Sequence, residues 1–294
     1  MVNNMKYIIL VFCLFVFFSC EKDINFKLDA SEPKIVIDAT IENDRHPIVY
    51  LSQSLDYFSS ITPEVLSSAF IHDAIITVTD GSRLIELKEY SLINDLGLSL
   101  SYYTISPLDS SFLGQLNHSY SMIVEVGGQT YQATTTIPNI TRQIDSLWWE
   151  PVPLSKDEDD SNIFIRATDR PGLGDYIRYF TKVDSKPYFP GFNSVYDDQV
   201  IDGTSYIIPI GKGFDKNEVF SDSTAFFKRG DTVMLKLCNI DKQTYDFWRT
   251  FEYSFQSIGN PFSSPTRILS NFNNGALGYF GGYAAQYRKF IIPE

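Results

Sequence analysis

The sequence predicts an all-β protein: an N-terminal immunoglobulin-like or transthyretin-like β-sandwich, then a C-terminal β-rich sandwich or barrel-like domain with one helix. Three observations predict it. Apolar and polar residues alternate over short runs from Lys34 onwards. Turn residues such as Asp80-Gly81 and Gly127-Gly128 punctuate those runs. Only one stretch, about Asp241 to Gln256, repeats its large apolar residues at helical spacing.

Residues 1–19 have the pattern of a signal peptide. Lys6 is the one charge ahead of an apolar run from Tyr7 to Phe18. That run is too short for a hydrocarbon core, which needs about 20 apolar residues. Ser19-Cys20 resembles a lipobox, with Phe17 and Phe18 departing from the usual residues, and Cys20 is the expected lipidation site. Residues 20–33 then form a lipidated tether. Its charged opening, Glu21-Lys22-Asp23, resembles the tag that sends Bacteroidota lipoproteins to the outer face of the outer membrane. A solvated tether accounts for the same triplet.

Residues 34–138 supply the sandwich. Ile35, Ile37, Ala39 and Ile41 share one face of a strand, and Asp38 and Thr40 the other. Strand signals follow at 48–52, 74–79, 84–88, 102–105, 119–126 and 130–136. Asp80-Gly81 and Gly127-Gly128 are expected to be two-residue hairpin turns, because these residues tolerate positive φ. About seven short strands at this spacing suggest the sandwich. Pro138 closes the unit, and residues 139–162 resemble a junction carrying Trp148-Trp149 and an acidic run, Asp157 to Asp160.

Residues 139–294 form the second domain. Strand signals recur at 163–168, 176–183, 205–210, 233–240, 267–270 and 283–292. Asp241 is the expected N-cap of the helix, whose stripe of Tyr245, Trp248, Phe251 or Glu252, and Phe255 is best explained as core packing.

Composition narrows the function. A net charge of -12 leaves no electrostatic footprint for nucleic acid. Cys13 leaves with the signal and Cys20 carries lipid, so Cys238 has no disulfide partner. It is expected to be a small buried hydrophobe. The three histidines, His46, His72 and His118, lie far from it in sequence. No nucleophile elbow or zinc-protease helix is present, so no catalytic residue is assigned. A glycoside hydrolase built on two carboxylates is the remaining enzymatic alternative. The Asp157–Asp160 run and Asp197-Asp198 with Asp202-Gly203 lack the spaced ligands of a calcium loop, and neither a metal nor a cofactor is expected. The ligand-binding candidates are aromatic: Tyr57 and Phe58 in a long first-domain loop, Trp148, Trp149, Tyr188 and Phe189 in the second half. Phe192 and Tyr196 lie nearby. Core filling is the competing reading for all of them.

Several segments, in order, resemble a family of Bacteroidota lipoproteins known as domain of unknown function 4249. They include Cys20 to Asp23, Lys34 to Ile37, Ala74 to Gly81, Thr136 to Pro138, Gly174 to Arg178, Gly230 to Val233 and Gly278 to Gly281. The resemblance implies a neighbour of TonB-dependent outer-membrane transporters, and it carries no catalytic residues. The expectation is therefore a lipid-anchored outer-membrane protein facing the cell exterior. It would serve as a non-catalytic accessory or ligand-binding subunit of such a transporter, with a nutrient ligand of glycan or peptide type. A structural surface protein or adhesin is the alternative.

Overall fold

A β-strand sends alternate side chains to opposite faces, and in this chain the central strands are packed on both. The computed structural model describes residues 32–55, 62–93, 99–215, 225–260, 262–264 and 266–294. Cys20, Glu21, Lys22, Asp23, Tyr57 and Phe58 lie outside the described residues. Residues 33–294 form one compact unit.

The first strands are β1 (Ile35–Glu42), β2 (Ile48–Gln53), β3 (Ile75–Thr79), β4 (Leu84–Ile93), β5 (Ser99–Thr104), β6 (His118–Val126) and β7 (Gln129–Ile137). A short helix, α1 (Pro63–Ala69), falls between β2 and β3, with Thr62 as its N-cap. Next come β8 (Gln143–Pro151), β9 (Asp160–Thr168), β10 (Tyr176–Val183), β11 (Phe189–Tyr196) and β12 (Ser205–Ile210). The chain ends with β13 (Phe227–Lys228), β14 (Thr232–Ile240), α2 (Lys242–Gln256) and β15 (Leu277–Ile291).

Eleven strands make one sheet in the order β11-β10-β14-β15-β1-β2-β5-β4-β3-β6-β7. Its centre is the last strand: β15 pairs in parallel with β1 and antiparallel with β14. The far end curls back, so that β7 packs against β15 and a sandwich encloses the first core. That core takes Ile37, Ala39 and Ile41 from β1, and Phe280 and Ala284 from β15. A four-stranded sheet of β12, β9, β13 and β8 covers Ile177, Tyr179, Leu235 and Leu237 of β10 and β14, making a second core. The opposite face of β10, β14 and β15 carries α2, whose Phe247 stacks on Tyr279 and whose Tyr245 packs on Tyr176 in a third core. The core thus changes between Ile137 and Ile144, while β15 contributes to both sides of that boundary.

The all-β, sandwich-like class holds, and the sheets do not close into a barrel. Gly127 and Gly128 form the two-residue turn, both with positive φ, and Val126 pairs with Gln129. The other turn is longer than expected. β3 ends at Thr79 and β4 starts at Leu84, because the Asp80 carboxylate accepts from the Ser82 and Arg83 amides and holds a four-residue loop. The junction contains a strand, β8, and β15 begins at Leu277 rather than Tyr283. Residues 267–270 are not a strand; the Leu269 amide donates to the Thr250 hydroxyl on α2 instead of a ladder partner.

Candidate functional site

Where α2 stops covering the sheet, a cavity of about 430 Å³ opens over β1, β15 and β14. Its floor comes from the outward residues of β1, namely Asp38, Thr40 and Glu42, whose neighbours Ile37, Ala39 and Ile41 fill the core beneath. β10 adds Arg178 and Phe180, and β14 adds Lys236. Aromatic rings form the walls: Trp248 and Phe251 from α2, Tyr279 and Tyr283 from β15, and Tyr50 from β2. Phe189 and Pro190 of β11 close the remaining side together with Phe214.

The charged groups are held in fixed positions. The Arg178 guanidinium lies 3.3 Å from the Trp248 ring centroid and 4.6 Å from that of Phe180. Its Nε donates to Ser194 Oγ at 3.2 Å and its Nη1 to the Tyr283 hydroxyl at 3.1 Å. Ser194 is itself gripped by Glu252 of α2, through its hydroxyl at 2.5 Å and its amide at 3.0 Å. Trp248 Nε1 also donates to the Tyr283 hydroxyl, at 3.0 Å. Arg178 is therefore clamped between the sheet and α2 by stacking and hydrogen bonds, which a lysine cannot reproduce.

Glu42 has both oxygens engaged: Lys236 Nζ donates to Oε2, and the Tyr287 hydroxyl and Arg45 Nε donate to Oε1. Asp38 differs. Its side chain is exposed at the pocket floor, while protein packs densely around its base. Burial among those neighbours raises its carboxyl above the ordinary value, against the opposing pull of Arg178 and a hydrogen bond with Tyr279. The four formal charges, Asp38 and Glu42 against Arg178 and Lys236, cancel.

The aromatic candidates scatter. Phe189 lines the cavity. Tyr188 sits beside it, its ring 6.1 Å from that of Tyr287. Trp148 and Trp149 lie on β8, away from the pocket: Trp148 stacks on Phe164 at 5.8 Å, and Trp149 packs against the second core. Phe192 stacks on Phe214, and Tyr196 on Tyr179. Asp38, Arg178, Lys236, Trp248 and Tyr279 were not singled out as binding residues in the sequence. The sequence carries only a faint signal for them: Arg178 and Lys236 are charges within strongly apolar strands, and Lys182 is another in the same strand as Arg178.

Other reactive groups are accounted for by the fold. Cys238 is buried, and burial pushes its thiol up to about 12, so it is no nucleophile at neutral pH. His46, His72 and His118 bond to the Phe112 carbonyl, Glu89 and the Asp80 carbonyl respectively. Asp169, Asp175 and Asp198 bring carboxylate oxygens within 4.8 Å of one another. Arg142 supplies a cation to this cluster through Asp169 at 3.0 Å, and Asp198 accepts the Gly174 and Asp175 amides. Those bonds make the cluster a loop clamp, in which Asp169 Oδ2 and Arg142 Nη1 are buried without a hydrogen-bond partner.

The family model described as Domain of unknown function (DUF4249) matches residues 21–289. A search of curated proteins finds no match. Among solved structures, a DUF4785 family protein from Legionella pneumophila is similar at 11% identity and a TM-score of 0.22, over 70% of this chain. The chain spans about half of that structure, 52%. A likeness this slight decides nothing about function.

Proposed function

The chain belongs to the DUF4249 family, and from that premise we propose that it is a lipid-anchored, non-catalytic ligand-binding subunit of a TonB-dependent outer-membrane transporter. The observation that carries the binding half is the pocket. It combines rigid aromatic walls with a few fixed polar groups, the composition of sites that recognise small ligands. The lipobox-like Ser19-Cys20 supports the anchor, and the family resemblance supports the partner. No described helix is long and apolar enough to cross a membrane.

Hydrolysis is the one competing reading with an observation behind it, because two carboxylates share the pocket. Asp38 and Glu42 are four positions apart on one extended strand, so their Cα atoms are separated by roughly 13 Å at about 3.3 Å per residue. Their side chains leave the strand on the same face, whereas the catalytic pair of a glycosidase flanks its bond at about 5–10 Å. Glu42 is also occupied by Lys236, Tyr287 and Arg45. This geometry favours capture.

The test is gentle detergent extraction of the tagged, full-length protein from its native membrane, with mass spectrometry of what co-elutes. A near-stoichiometric TonB-dependent transporter is expected. A transporter abundant in the extract and missing from the eluate would remove the partner from the proposal and favour an adhesin.

A further inference from the structure

The pocket does not end at Tyr50. Strand register places Tyr279 of β15, Asp38 of β1 and Tyr50 of β2 side by side. β2 pairs with β5, and β5 with β4, where Tyr102 faces Tyr90. The Tyr50 and Tyr102 rings are 6.1 Å apart, and the Tyr102 and Tyr90 rings 6.0 Å apart at an interplanar angle of 30°. One cross-strand row therefore starts inside the cavity and runs outward over five neighbouring strands of the sheet. Tyr50 is 41% exposed, and Tyr102 and Tyr90 are half-buried.

Cross-strand aromatic pairs also stabilise a sheet, but that role does not require continuity with a pocket, nor a ring as open as that of Tyr50. The chemistry of the row selects its occupant. Phenol rings offer flat apolar faces edged with hydroxyls, suited to a pyranose ring with one C–H face and a rim of hydroxyls. The cancelling charges of the pocket floor suit a neutral ligand, since a charged one would leave a floor charge uncompensated. A peptide bound by strand addition needs an open sheet edge; this row lies on a sheet face, where Tyr50 is paired with Asp38 of β1 and Tyr102 with Tyr90 of β4.

We propose that the Tyr50–Tyr102–Tyr90 row is an extended glycan platform continuous with the pocket, so that the ligand is a neutral oligosaccharide with one end in the cavity. This rests on the reading of the cavity as a binding site, but not on the transporter.

The experiment presents full-length protein in detergent to an array of neutral oligosaccharides of graded length, acidic and sulfated oligosaccharides, and peptides. Calorimetry on the retained series follows. Neutral oligosaccharides are expected to be retained, with affinity rising with length. Tyr90→Thr with Tyr102→Thr keeps β-branched strand formers in place. It should weaken the longest ligand by roughly tenfold per lost ring, about 1.4 kcal/mol each, and leave the shortest unchanged. Tyr90→Thr alone, on the outer strand, serves if the double variant fails to fold, and Tyr102→Phe should bind nearly as wild type. Retention of acidic glycans or peptides alone, no retention of any neutral glycan, or a length dependence that survives in the folded variant would overturn the proposal. Co-extraction of a transporter alongside a negative array would overturn the glycan platform alone; glycan binding without co-extraction would overturn only the partner.

Discussion

Replacing Arg142 with methionine tests how the pocket's scaffold is held. Arg142 and Asp169 both have fully buried side chains, paired at 3.0 Å. Arg142 Nη2 also donates to the Asp175 carbonyl at 3.2 Å, and its own carbonyl accepts from Gln286 Nε2 at 2.6 Å. The residue thus ties the start of β8 to the loop before β10 and to β15, the two strands that present Arg178, Tyr279 and Tyr283. Methionine keeps much of the aliphatic volume, so the loss is mainly electrostatic. Asp169 is left buried without its counter-charge, with Asp175 and Asp198 nearby. Breaking a buried pair costs about 3–5 kcal/mol. At roughly 2–4 °C per kcal/mol for a unit of this size, the melting midpoint should fall by roughly 10 °C. Urea unfolding followed by circular dichroism measures the loss, and Asp169→Asn added to Arg142→Met should recover a large part of it, because the orphaned charge is gone. A single variant within about 1 kcal/mol of wild type, or a double variant less stable than the single, would show that the buried ion pair does not hold the scaffold.

Two further predictions concern the pairing of β1 with β15 beneath the pocket. Asp38→Asn should raise the thermal midpoint at pH 7. Burial raises the carboxyl in the folded state, so wild-type stability is greatest with Asp38 protonated and falls as pH rises from its unfolded value through the raised folded one. The gap between variant and wild type should therefore close in acid and open toward neutrality in melts run across pH; a gap largest in acid would contradict this. Gly278→Ala should cost at least about 2 kcal/mol, because Gly278 has φ +97° and a Cβ there would lie 2.0 Å from the Ile37 carbonyl oxygen. Urea midpoints check it, and a loss under about 0.5 kcal/mol would mean that β15 can shift away from β1.

Local pattern made much of this fold legible. The alternation at Ile35 to Ile41 gave β1 and its two faces, including the polar face that became the pocket floor. Asp241 and the spacing of Tyr245 and Trp248 gave α2, whose cap the structure keeps through the Thr244 amide at 2.8 Å. What escaped was non-local. No short-range signal says that β15 lies parallel to β1, and without that pairing Asp38 and Tyr279 share no site. Trp248 was assigned to core packing, and it does pack on Tyr279; its second role depends on Arg178 lying across its ring. β8 was hidden by its place between Pro138 and the acidic run, although it buries only Ile144 deeply and earns its strand conformation from pairing with β9.

Whether ligand enters the cavity beside Trp248 decides between a binding pocket and a structural cleft. The chain has three tryptophans, Trp148, Trp149 and Trp248, and the first two lie away from the cavity on β8. Replacing both with phenylalanine leaves Trp248 as the reporter, and its emission can be followed while the graded neutral oligosaccharides are titrated. A saturable change, with the midpoint that calorimetry gives for the same sugar, is the predicted result. Binding by calorimetry with silent Trp248 emission would place the ligand elsewhere and contradict the pocket.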